Sequence, residues 1–157
     1  MMTGPITSFF SSDQDFFASG RLPQRSASKR ADGDPIRVLV VDDEMRIADT
    51  TAEVLQSAGF DARPAYTGQS ALKLAAEFRP DCLLTDVVMS GMNGVELALE
   101  FQKLQPKARV VLISGQAGIS EILEDAASEG IRFEVLSKPI LPRLLIEHLR
   151  KKPRSKR

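Results

Sequence analysis

Apolar residues in this chain come in two alternating rhythms from Ile36 onward. Short apolar runs, IRVLVV (36–41), DCLLTD (81–86), RVVLIS (109–114) and FEVLSK (133–138), read as strands, and the first lacks the in-out alternation of a half-exposed strand and reads as buried on both sides. FDARPA (60–65) is a weaker strand, and Pro64 argues for an edge position. Between these runs the spacing becomes helical. Ile47, Thr51, Val54, Leu55 and Ala58 share one face of a first helix that Gly59 suits as a stop. Thr67 caps a second helix bearing Ala71, Leu72, Leu74 and Ala75, which Pro80 ends. Asn93 caps a third with Val95, Leu97, Ala98, Phe101 and Leu104. A fourth near 119–128 carries Ile119, Ile122, Leu123 and Ala126, and a fifth carries Ile140, Leu144, Leu145 and Leu149.

Strict strand–helix alternation with short connections implies right-handed crossovers and a parallel sheet covered by helices on both faces. The fold class is α/β, a flavodoxin-like (βα)5 with strand order 2-1-3-4-5. Residues 1–35 hold no sustained period and read as a disordered leader, 36–150 as the folded domain, and 151–157 as a basic tail. Phe9-Phe10 and Phe16-Phe17 stand out in the leader, either as a short docking motif or as unselected tail.

Charge sharpens this division. The formal net charge is zero, yet residues 36–149 hold 17 acids against 11 bases, while RKKPRSKR (150–157) holds six bases and no acid. Basicity confined to a tail argues against nucleic acid as the domain's partner. The tail reads as solvating, with binding of nucleic acid or anionic lipid as the sharper alternative. No run approaches the roughly 20 apolar residues a membrane span needs, and no secretion signal is evident. The single cysteine, Cys82, lies in an apolar run and reads as a buried structural thiol; a cytoplasmic location fits. His148 reads as a solvated helix residue without a metal-spaced partner.

Ligands of open α/β sheets bind beyond the carboxyl ends of the strands, near the switch in strand order. There the chain places Asp42, Asp43 and Glu44 after the first strand, Asp86 after the third, Ser114 after the fourth and Lys138 after the fifth. Clustered carboxylates repel, and a hard divalent cation such as Mg²⁺ relieves them with oxygen ligands. An aspartate can also accept a phosphoryl group as an acyl phosphate, supported by nearby cations. Lys138 would supply one positive charge and Ser114 a hydroxyl hydrogen bond. Each of these residues also has a plainer role: Asp42-Asp43 as helix caps, Asp86 accepting loop amides, Ser114 in a turn, Lys138 at the surface.

VLVVDDE (38–44), LLTDVVMSGMNGVEL (83–97), VVLISG (110–115) and LSKP (136–139) resemble the receiver domains of two-component response regulators, and the resemblance covers residues 36–150. It implies phosphorylation of Asp86 by a histidine kinase or histidine phosphotransfer protein. It implies Mg²⁺ held directly by Asp43, mainly through water by Asp42, and by Asp86 and the Val88 backbone carbonyl. Ser114 and Lys138 match the switch hydroxyl and the lysine of the family. The chain is expected to be a stand-alone receiver and not a conventional enzyme. Its signal would pass to a downstream protein through the face of helix 4, strand 5 and helix 5, and homodimerisation is compatible with this. Two positions depart from the family pattern. Val135 stands where most receivers have an aromatic residue, with Phe133 out of register to replace it, and Ser90 stands where many have proline. The alternative is a receiver-like interaction module that works without phosphorylation. Enzymes on similar folds fit poorly: Val88 stands where a haloacid-dehalogenase-type phosphatase has a second aspartate, no G-x-G-x-x-G follows the first strand, and Asp42-Asp43 occupy the place of a flavodoxin's phosphate loop.

Overall fold

The computed structural model describes residues 33–115, 123–124, 127–128 and 133–152. Most of the expected leader, most of the expected helix at 119–128 and the end of the basic tail lie outside them. Five strands form one sheet: β1 (Arg37–Val41), β2 (Asp61–Ala65), β3 (Cys82–Asp86), β4 (Arg109–Ser114) and β5 (Glu134–Ser137). Its order is β2-β1-β3-β4-β5, with every pair parallel. Four helices are described in full: α1 (Met45–Ser57), α2 (Gly68–Phe78), α3 (Gly94–Leu104) and α4 (Pro142–Arg150).

Strand side chains alternate between two cores, which is why the apolar runs are continuous. Leu39, Val41, Leu83, Val110 and Leu112 face α2 and α3, around a fully buried Phe101. Val38, Val40, Leu84, Val111 and Ile113 face Leu55 of α1 and Leu145 and Leu149 of α4. Helix starts follow the sequence. Thr67 and Asn93 each make a reciprocal capping box, with Ser70 and Glu96 respectively. α1 ends before Gly59, whose φ of +96° suits glycine. Pro64 lies on the edge strand β2, where its missing N–H costs no ladder bond on the open side.

Three helix faces differ from expectation. α1 meets the sheet through Ala48, Ala52 and Leu55, whereas Ile47 is 39% exposed and Thr51 and Val54 are half-buried. The small alanines let the helix lie close to the strands, which turns the bulkier row sideways. Leu144 of α4 and Leu104 of α3 are exposed, and Ile140 precedes α4 instead of lying on it. His148 is not simply solvated. It lies 3.1 Å from Glu134, which Arg109 grips with two guanidinium nitrogens. Arg109 also donates to the carbonyls of Leu149 and Lys151, pinning the end of α4.

Candidate functional site

The chain leaves β1 toward β2 on one side and returns to β3 on the other. The carboxyl ends of β1 and β3 are therefore adjacent at the switch in strand order, where side loops diverge and leave a crevice. Asp42 and Asp43 follow β1, Asp86 ends β3, Ser114 ends β4 and Lys138 follows β5. The register sets Asp86 beside Ile113 and Ser114 beside Ser137, so all five residues stand at one rim.

Lys138 joins the acids. Its ammonium donates to Asp86 Oδ2 at 2.9 Å and lies 3.7 Å from Asp42 Oδ2. It is not a free surface lysine. Its partial burial works against the charge, but the hydrogen bond to Asp86 and the charges of Asp86 and Asp42 outweigh that and raise its pKa. Asp42 is 5% exposed, and burial pushes its carboxyl up; the Glu44 amide and Lys138 pull it down, while Asp86 and Asp43 push it further up. Asp42 Oδ1 takes the Glu44 amide at 2.9 Å, closing a local turn, and Glu44, at the N-cap of α1, makes no side-chain cap bond. Capping therefore does not account for the two aspartates.

The remaining contacts come from loops. The Val88 amide donates to Asp86 Oδ1 at 3.3 Å, and Ser90 donates to Asp43 through both its amide and its hydroxyl. Ser114 is buried, and its carbonyl accepts the Lys138 amide at 2.8 Å. Two glycines that sequence reasoning missed shape the rim. A Cβ on Gly94 would stand 2.1 Å from the Asp86 carbonyl oxygen, and one on Gly115 would stand 3.2 Å from Lys138 Cβ. Their only trace in the sequence is a glycine after Asn93 and another after Ser114. Glu44, expected at the same rim, is exposed.

A cleft of about 580 Å³ runs from Asp86 and Lys138 between α1 and the start of α4, walled by Ile47, Thr51, Val54, Ile140 and Leu145. The row that α1 turns away from the sheet lines this cleft.

Among the described residues no three His, Cys, Asp or Glu side chains form a ready-made metal cage, and the Lys138 ammonium lies between two of the acids. Mg²⁺ does not ask for a cage, since it keeps several waters and uses one or two carboxylates. A buried Asp42 with two like charges near it, and an exposed Asp43 beside it, form an all-oxygen donor set that fits such an ion.

Fold and rim together define a flavodoxin-like α/β domain with an acidic site at its switch point. A family model described as the response regulator receiver domain matches residues 38–150. A response regulator receiver protein of Anaeromyxobacter sp. (strain Fw109-5) is 40% identical over 110 residues, covering 69% of this chain and 45% of that protein. The chain thus spans less than half the length of that relative. The chemotaxis protein CheY of Thermotoga maritima is 29% identical over 116 residues, covering 73% of this chain and 95% of that one. A CheY-like receiver domain structure from Methanospirillum hungatei JF-1 superposes with a TM-score of 0.65 at 27% identity, covering 73% of this chain and 90% of that one. The chain belongs to the response regulator receiver domain family. Aspartyl phosphorylation and use of Mg²⁺ are general properties of these two-component signalling domains.

Proposed function

We propose that this chain is a response regulator receiver that accepts a phosphoryl group on Asp86 in a Mg²⁺-dependent reaction and signals by protein contact. The observation that carries this reading is the Lys138 ammonium, 2.9 Å from Asp86 and 3.7 Å from Asp42, on a rim that also holds Asp43 and Ser114.

The donor is a phosphohistidine of a sensor kinase or a phosphotransfer protein. An Asp86 carboxylate oxygen attacks phosphorus, the new O–P bond forms as the donor's N–P bond breaks, and the imidazole leaves. The protein's share is positioning and charge support rather than covalent chemistry. Lys138 holds Asp86 in place beforehand and then faces the added negative charge. Ser114, at the end of β4, offers its hydroxyl to a phosphoryl oxygen. Asp43, Asp42, Asp86 and the Val88 carbonyl would hold Mg²⁺, which when bound offsets the charge on the phosphoryl oxygens. The chain assists its own modification without being a conventional enzyme, and it acts in the cytoplasm. Among the described residues no helix is long and apolar enough to cross a membrane.

The apolar cleft beside Asp86 supports a protein donor, since it extends the contact area well past the reacting atoms. For the downstream partner we favour the face that includes edge strand β5, where Val135 is 40% exposed, and α4. The test is incubation with acetyl phosphate and Mg²⁺, followed by intact mass measurement. Wild type should gain one phosphoryl group and Asp86→Asn none. An equal gain in both, or none in either, would refute the assignment.

A further inference from the structure

Each rim carboxylate has its own restraint, and that of Asp43 differs in kind. Asp42 and Asp86 share the Lys138 ammonium. Asp43, exposed, is gripped from the β3–α3 loop: the Ser90 amide donates to its Oδ2 at 3.0 Å and the Ser90 hydroxyl donates to the same oxygen at 3.2 Å. The two residues are 47 positions apart, so this bond pair joins the end of β1 to the loop after β3.

Both donors fall on one oxygen, which leaves the lone pairs of Asp43 Oδ1 for another partner. Two residues before Ser90 in the same loop is Val88, whose carbonyl belongs to the ligand set proposed above. Holding Asp43 to Ser90 therefore places a side-chain ligand and a backbone ligand in one frame. Hydrogen bonds to an ionised acceptor are stronger than neutral ones, and a ligand already held in place loses less freedom on binding.

We propose that Ser90 is a positioning residue for the cation, presenting Asp43 to Mg²⁺ in register with the Val88 carbonyl. The proposal rests on the phosphoacceptor reading of the site. It makes the residue type at position 90 a determinant of Mg²⁺ affinity. Threonine keeps both donors, alanine keeps the amide alone, and proline has neither.

The test is a Mg²⁺ titration of the unphosphorylated full chain, followed by calorimetry and by amide chemical shifts of residues 87–94. Ser90→Ala should weaken binding about three- to tenfold, the effect of one hydrogen bond to a charged group at an exposed position. Ser90→Pro should weaken it further, and Ser90→Thr should stay within about twofold of wild type because it retains the hydroxyl. Asp43→Asn serves as the control for the site. Melting curves without Mg²⁺ report whether each variant is folded, and Ser90→Ala, on an exposed loop, decides the matter alone if the proline chain does not fold. No saturable response in wild type would overturn the phosphoacceptor reading and this proposal with it. Binding lost in Asp43→Asn but unchanged or tighter in Ser90→Ala would leave the reading standing and overturn the role of Ser90.

Discussion

Replacing Gly94 by alanine should damage both stability and phosphoacceptance, because of space rather than backbone conformation. The new Cβ would stand 2.1 Å from the Asp86 carbonyl oxygen and 2.9 Å from both Asp86 C and Val87 Cα. The closest comfortable C···O approach is about 3.3 Å, so something must retreat by about 1 Å. Neither side yields easily. The Gly94 amide is bonded to the Val87 carbonyl at 2.8 Å, the Asn93–Glu96 box fixes the start of α3, and Val95, Leu97, Ala98 and Phe101 anchor the helix in the core. Overpacking against backbone belongs at the upper end of its range, so we expect a loss of about 2–4 kcal/mol. Alanine's better helix propensity, at most about 1 kcal/mol, recovers only part of that at a first helical position. In a domain of this size the melting temperature should fall by roughly 8–16 °C. A shift of about 1 Å in the attacking carboxylate should slow phosphorylation on the order of 100-fold. Urea denaturation and initial rates with acetyl phosphate measure the two effects. A Gly94→Ala chain that matched wild type in both would show that the close approach at Asp86 constrains nothing.

Two further predictions concern groups away from the rim. The Arg109 hydrogen bond holds the Glu134 carboxyl below its ordinary pKa of 4.5, so the stability it confers is fully present above that value and is lost as pH falls through the lowered one. Glu134→Gln should therefore cost about 1–2 kcal/mol near neutrality, discounted for a side chain about one-third exposed, and its deficit should shrink in acid; urea midpoints across that range that ran parallel for both chains would contradict this. Burial pushes the Cys82 thiol up to about 12, so a disulfide reagent near neutral pH should label it only as fast as the chain unfolds, and immediate labelling of native protein would count against its burial.

The residues of the rim were legible because each one stands at the end of a strand run: Asp42, Asp86, Ser114 and Lys138 follow or close the apolar stretches at their carboxyl ends. Strand–helix alternation indicated a parallel sheet, and Pro64 put the second strand at an edge. Helix faces were harder. A stripe drawn through the largest apolar residues of α1 selects Ile47 and Val54, while tight packing on a sheet selects the small Ala48 and Ala52. The bond between Ser90 and Asp43 spans 47 residues, and the pairing of His148 with Glu134 crosses from α4 to an edge strand; neither leaves a local pattern. Gly94 was invisible for another reason: what matters is an atom it lacks, measured against a carbonyl eight residues earlier.

The bond from the Lys138 amide to the Ser114 carbonyl, 2.8 Å long, continues the β4–β5 ladder one step past the pair Ser114–Ser137. It makes the hydroxyl and the ammonium of the rim two hands on one backbone tether. If Asp86 accepts a phosphoryl group as proposed, drawing either side chain toward it would pull on the other's strand through the main chain, a lever that needs no aromatic ring swinging between core and surface. Val135, three residues before Lys138 and 40% exposed, would under the same proposal serve as a surface contact for a partner rather than as a moving part.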